Sequence, residues 1–167
     1  MKDKEAEFLT RIQTHKGILF KISKMYMDNQ DDQDDLFQEI ICQLWKVYDT
    51  FRGEAQFSTW MYRVAVNTAI AYFKKEKKQP PRYALPSDQI AEPHSDPDLR
   101  ELQLAHFYKA LQGLDKIEKA LVFYHLEGYS HAEIGRNIGI SEGNARVRLS
   151  RAKTKLKDII QKQGYEF

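Results

Sequence analysis

Between Ala145 and Lys157 the chain places Arg146, Arg148, Arg151, Lys153 and Lys155, with Lys157 closing the run and no acidic residue among them. A solvated helix ordinarily interleaves both signs, so an uncompensated cationic run favours the phosphates of a nucleic acid. At about 100° per residue, Ala145, Leu149, Ala152, Leu156 and Ile159 or Ile160 share one side and pack inward. The opposite side carries Val147, Ser150, Arg151 and Thr154, edged by Arg146 with Lys153 and by Arg148 with Lys155.

A second constellation lies upstream, where Trp60, Arg63, Asn67 and Lys74 recur at helical spacing on one side of a segment. An aromatic ring and an amide flanked by cations suit unpaired bases, because a ring stacks on any base while cations hold the phosphates. Phe51, Arg52 and Phe57 in the preceding loop, with Ser58 after it, bring more of both types to the same end. Trp60 serves either that pocket or the core. A third segment is acidic, with Asp31, Asp32, Asp34, Asp35 and Glu39 close together. Its helical face of Asp35, Gln38, Glu39, Gln43 and Lys46 suits docking on a basic groove or a coiled coil.

The net charge of +2 hides this segregation, which continues in Lys74, Lys75, Lys77, Lys78 and Arg82. Catalytic and metal chemistry find little support. The histidines His15, His94, His106, His125 and His131 lack H-E-x-x-H spacing, and there is no phosphate-binding glycine loop or nucleophile motif. No cofactor, metal or enzyme activity is expected. The one cysteine, Cys42, excludes an internal disulfide and suits a reducing compartment. No apolar run reaches membrane-spanning length and the N-terminus is charged, so the expected location is the cytoplasm, without direct membrane insertion.

The elements that must position these groups are all helical. Periodicity and capping place helices near Glu5–Met27, Asp34–Tyr48, Ser58–Lys78, Leu99–Gly113, Lys116–Glu127, Ser130–Ile138 and Ser141–Gln163, with no alternating strand pattern. Ser130 and Glu133 form a capping box, Gly139 stops that helix, and Ser141 caps the next. Short helix, turn and basic second helix make a helix-turn-helix, the arrangement that enters a DNA major groove. All five prolines lie between Pro80 and Pro97, which breaks the chain into an all-α pair of lobes, 1–78 and 98–167, joined by an extended linker over 79–97 that lets them act separately.

Taken in order, DDLFQEIICQLWK, FRGEAQFSTWMYRVAVNTAIAYFKK, a proline-bearing linker and GYSHAEIGRNIGISEGNARVRLSRAKTKLK resemble an extracytoplasmic-function (ECF) sigma factor across nearly the whole chain. The resemblance implies a subunit that binds core RNA polymerase and directs promoter-specific initiation, with a region 2-like front lobe and a region 4-like rear lobe. Asp35, Leu36, Gln38, Glu39 and Leu44 would grip the clamp coiled coil of the polymerase's largest subunit. Arg52, Phe57, Ser58, Trp60, Arg63, Asn67 and Lys74 would take the minus-10 element and hold an unpaired base of the non-template strand. Arg146, Val147, Ser150 and Arg151 would face minus-35 bases, with Ser141, Arg148 and Lys153 nearer the phosphates. An anti-sigma protein is a further implied partner.

The recognition helix departs from the commonest family run, of SEGTVKSRLHRAR type. Asn144 and Ala145 stand for Thr and Val, and Val147 and Ser150 occupy positions often taken by Ser and His. Ala145 still faces inward, so the departures bear on target sequence rather than fold. Two base-facing arginines favour guanine through bidentate bonds, each worth ~1–3 kcal/mol of discrimination. The same helix-turn-helix also fits a stand-alone regulator acting as a symmetric dimer on a palindromic operator.

Overall fold

The computed structural model describes residues 1–77 and 98–164, with backbone alone for 73–77, so the expected linker lies outside the described residues. The helices are α1 (Lys2–Tyr26), α2 (Gln30–Val47), α3 (Phe57–Lys77), α4 (Leu99–Leu111), α5 (Lys116–Leu126), α6 (His131–Ile138) and α7 (Glu142–Lys162), with one 3₁₀ turn at Tyr48–Thr50. No strand occurs among the described residues. None of these helices is long and apolar enough to cross a membrane.

α2 starts four residues before the position that the sequence pattern suggests. Asn29 caps it by accepting from the Asp32 amide at 2.8 Å, and Asp31 and Asp32 then sit in the first turn, where the helix dipole favours carboxylates. Part of the acidic cluster therefore serves the start of the helix. α5 begins with a second box that the sequence reading did not identify. Asp115 accepts from the Glu118 amide at 2.8 Å, while Glu118 returns a carboxylate oxygen to the Asp115 amide, also at 2.8 Å.

The front lobe packs α1, α2 and α3 around Leu19, Ile22, Leu36, Ile40, Leu44, Met61 and Ala65, all fully buried. Burial of each large aliphatic side chain contributes ~1.5–3 kcal/mol. In the rear lobe Leu121, Ile134, Ala145, Leu149 and Ala152 close the centre of α5, α6 and α7. The inward stripe expected of α7 is the stripe observed.

The two lobes pack against one another. The buried Tyr26 hydroxyl donates to the Lys116 carbonyl at 2.7 Å, and Gln112 Nε2 donates to the Met25 carbonyl at 3.2 Å. Lys119 is buried between them, its ammonium 5.5 Å from the Tyr26 ring centroid and 2.9 Å from Gln112 Oε1. Burial lowers the Lys119 pKa and pushes the Tyr26 phenol well up, since both charged forms lose solvation there. Tyr62 of α3 meets Phe123 and Tyr129 with ring centroids 5.3 and 5.9 Å apart.

Candidate nucleic-acid interface

The helix-turn-helix is held by local bonds that its sequence announces. Ser130 Oγ accepts from the Glu133 amide at 3.2 Å, and Glu133 Oε2 accepts from the Ser130 amide at 2.7 Å. Bonding to Ser130 holds the Glu133 carboxyl below its ordinary pKa. Gly139 adopts φ 86°, a left-handed conformation that needs no side chain, and its amide and that of Ile140 both return to the Gly135 carbonyl at 2.8 and 2.9 Å. Ser141 then caps α7 through the Asn144 amide at 3.2 Å. A close approach hidden from the sequence sets the turn: a Cβ on Gly135 would lie 2.7 Å from the Ile140 carbonyl oxygen.

Along α7, Arg146, Val147, Ser150, Arg151 and Lys153 are exposed, Val147 at 49%, and Arg148 is half-buried at the edge. The run is less uncompensated in space than in sequence. Arg146 pairs with Glu142 at 3.3 Å, Lys155 reaches Glu118 of α5 at 3.0 Å, and Lys153 Nζ lies 3.4 Å from His125 Nε2. Partial burial, then Lys153 and His131, lower the His125 pKa. Among the described residues Arg148 and Arg151 make no ion pair, which leaves their forks available to phosphate or base.

The front-lobe residues divide. Arg52 and Asn67 are exposed and Ser58 is half-buried. Trp60 is half-buried in a ring cluster, 5.5 Å from both Phe51 and Phe57 and 6.3 Å from Tyr48. The two readings of that indole thus merge, with one part packed and one part open. Phe57 is buried beneath it and supports the surface rather than forming it. Arg63 is exposed, yet its guanidinium gives Nε and Nη2 to Asn137 Oδ1 of α6 at 3.3 and 3.0 Å. The Lys74 side chain falls outside the described residues.

On the acidic helix Asp35 and Gln38 are exposed, and Glu39 is half-buried with Gln43 Nε2 on its carboxylate at 2.9 Å. Leu36 and Leu44, which the resemblance assigns to the same polymerase contact, are fully buried and hold α2 onto α1 and α3. They cannot present a contact surface while the core is intact. Elsewhere on the lobe, Phe20 of α1, 51% exposed, stacks on Phe37 of α2 at 4.5 Å. That pair spans two helices, so no single helical period reveals it. Among the described residues no group of His, Cys, Asp and Glu is arranged to hold a metal ion.

Comparison with known proteins places both lobes. Residues 11–79 match Sigma-70 region 2 and residues 105–156 match Sigma-70, region 4. The chain is 26% identical over 145 residues to the ECF RNA polymerase sigma-E factor of Haemophilus influenzae, covering 80% of this chain and 77% of that one. It is 28% identical over 142 residues to the same-named factor of Escherichia coli (strain K12), covering 78% and 74%. Two solved structures share the fold at a TM-score of 0.65 and 20% identity: the sigma factor RpoE in complex with the anti-sigma factor NepR from Bartonella quintana, and CnrH in complex with the cytosolic domain of CnrY. The first covers 96% of this chain and 98% of that chain, the second 94% and 89%. With a region 2 lobe and a region 4 helix-turn-helix in that order, and curated relatives matched across most of their length, the chain belongs to the extracytoplasmic-function sigma factors.

Proposed function

We propose that this sigma factor divides promoter recognition between its lobes, with residues 1–78 joining core polymerase and opening the minus-10 element and residues 98–167 reading the minus-35 duplex. The observation that carries this reading is the chemical contrast between two surfaces. α7 offers Arg148, Val147 and Arg151 in a groove-sized convex helix without ion pairs on the arginines, as duplex readout needs. The front lobe offers a half-open Trp60 with Arg52, Ser58 and Asn67 around it, as single-strand capture needs. Asp35, Gln38 and Glu39 supply an acidic face for a basic coiled coil on the polymerase.

In this mechanism the chain supplies no covalent chemistry, and the polymerase performs the catalysis. Base stacking on an aromatic ring contributes ~1–3 kcal/mol per captured base, which offsets part of the cost of unpairing. Neither lobe alone binds promoter tightly. Core polymerase sets the distance between them, so that both elements are engaged by one molecule and the second contact becomes intramolecular. The protein acts where polymerase acts, in the cytoplasm. An anti-sigma protein holds it inactive, by analogy with the Bartonella quintana RpoE bound to NepR.

Gel-shift titrations with promoter fragments test this directly. The chain with core polymerase should bind at least tenfold more tightly than the chain alone. Equal affinity with and without core enzyme, together with a stable dimer in sedimentation, would instead establish the stand-alone regulator.

A further inference from the structure

Neither packing nor helix propensity accounts for valine at position 147. Its side chain is 49% exposed, and among the described residues of α7 it is the one large apolar group left open to solvent, since Leu149 and Leu156 turn into the core. A β-branched residue on an open helix face buries nothing and favours the helix less than alanine, lysine or arginine would. Val147 stands in the second turn of α7, whose start the Ser141 cap fixes. Helical side chains lean toward the N-terminus, so its methyl groups lie over the turn that holds Gly143 and Asn144. Gly143 has no side chain, and nothing lies within 4 Å of where a Cβ would stand there. The valine methyls are therefore uncovered on the end of the helix that reaches base edges. Ser150 and Arg151, one turn on, are exposed beside it, and Arg151 makes no ion pair among the described residues.

A branched hydrocarbon neither donates nor accepts a hydrogen bond. Against the major-groove edge of adenine, guanine or cytosine it strips water from a polar atom and returns nothing, which is a desolvation without compensation. Thymine alone among the four bases carries a methyl group on that edge. There Val147 gains dispersion contact, and its one strongly preferred rotamer leaves little freedom to lose. Serine, often found at this position in the family, bonds to polar edges of more than one base and makes no such choice.

We propose that Val147 selects thymine in the minus-35 element by packing on its 5-methyl group, beside the guanine that Arg151 addresses. The inference rests on the reading of α7 as the helix that enters the minus-35 groove, and it names what one position of that helix recognises. Four residues separate Val147 from Arg151, about 6 Å along the helix, so the thymine lies within about two base pairs of that guanine at about 3.4 Å per pair. Because the recognised group is the methyl, cytosine bearing a 5-methyl group is accepted better than plain cytosine.

Duplexes randomised across the minus-35 element, selected once with holoenzyme containing the unmodified chain and once with holoenzyme containing Val147→Ser, locate the base. Thymine should be enriched at one position with the unmodified chain and lose that enrichment with Val147→Ser, while the neighbouring guanine stays. Uracil then replaces that thymine, which deletes the methyl and nothing else. Filter binding by the unmodified holoenzyme should weaken about fourfold, the worth of one buried methyl group, whereas the Val147→Ser holoenzyme should bind both duplexes alike. At the same position 5-methylcytosine should bind more tightly than cytosine, again only with valine in place. Equal affinity for thymine and uracil in the unmodified holoenzyme, or thymine enrichment that survives Val147→Ser, overturns the methyl contact and leaves readout by the arginines standing. A selection that enriches no minus-35 position overturns the reading of α7 itself, and the contact with it. The exchange of thymine for uracil uses the unmodified chain, so it decides even if the variant folds poorly.

Discussion

Replacing Gly135 by Ala tests whether the angle between α6 and α7 is set by a backbone contact. Alanine in a helix ordinarily gains up to ~1 kcal/mol over glycine. Here the added Cβ would stand 2.7 Å from the Ile140 carbonyl oxygen and 3.3 Å from the Ser141 carbonyl carbon, neither of which belongs to a flexible side chain. Relieving such crowding costs ~1–3 kcal/mol, so the net change should be a destabilisation of about 1–2 kcal/mol. The Gly135 carbonyl also receives the amides of Gly139 and Ile140, so the relief must distort the turn that aims the recognition helix. Gly143→Ala is the matched control, because nothing lies within 4 Å of its added Cβ. At ~2–4 °C per kcal/mol for a chain of this size, thermal unfolding followed by circular dichroism should fall by about 2–8 °C for Gly135→Ala and stay level or rise for Gly143→Ala. In the holoenzyme only the first should lose affinity for minus-35 duplex. If the two variants melt alike, the close approach at Ile140 is not what fixes the turn.

Other perturbations separate readout from support. Arg148→Ala should lower the salt dependence of holoenzyme binding by about 0.9 in slope for all sequences alike, whereas Arg151→Ala should relax preference at one base pair by ~1–3 kcal/mol, both measured by filter binding over a salt series. Leu36→Ala, which empties a fully buried site, should cost ~2–5 kcal/mol in chemical denaturation, while Asp35→Ala should stay within ~0.5 kcal/mol in stability and lose core polymerase affinity. Burial raises the pKa of Tyr26 and Tyr62, and for Tyr62 the Glu127 carboxylate adds to it. A folded pKa above the unfolded value of ~10 means that these groups stabilise fully below pH ~10 and that the contribution fades as pH rises past it. Their phenolate absorbance should therefore appear only together with loss of the folded signal, and earlier ionisation would contradict their burial.

The elements were legible where the determinants are local. The Ser130–Glu133 box, Gly139 and the Ser141 cap lie within four residues of what they bond, and the observed turn follows the written one. Asn29 is a cap of the same kind, but its setting of Asp and Gln reads as a polar loop, which hides the first turn of α2. Leu36 and Leu44 enter the polymerase contact only through the resemblance, which assigns positions without regard to depth, and the fold buries both, as it does Phe57. The seam between lobes leaves no periodic trace at all. Tyr62 meets Glu127 across 65 positions, Arg63 meets Asn137 across 74, and Tyr26 meets Lys116 across 90. For the same reason Lys155 looked uncompensated until the fold brought Glu118 to it from 37 residues away.

Run-off transcription by purified core polymerase, with and without this chain, on genomic fragments recovered with the reconstituted holoenzyme, bears most directly on the function. Permanganate mapping of unpaired thymines on the same templates reports where the duplex opens. Discrete transcripts that require the chain, with reactive thymines confined to the minus-10 region and lost in Trp60→Ala, are the predicted result. Identical transcripts in the chain's absence, or opening that ignores the front lobe, would contradict it.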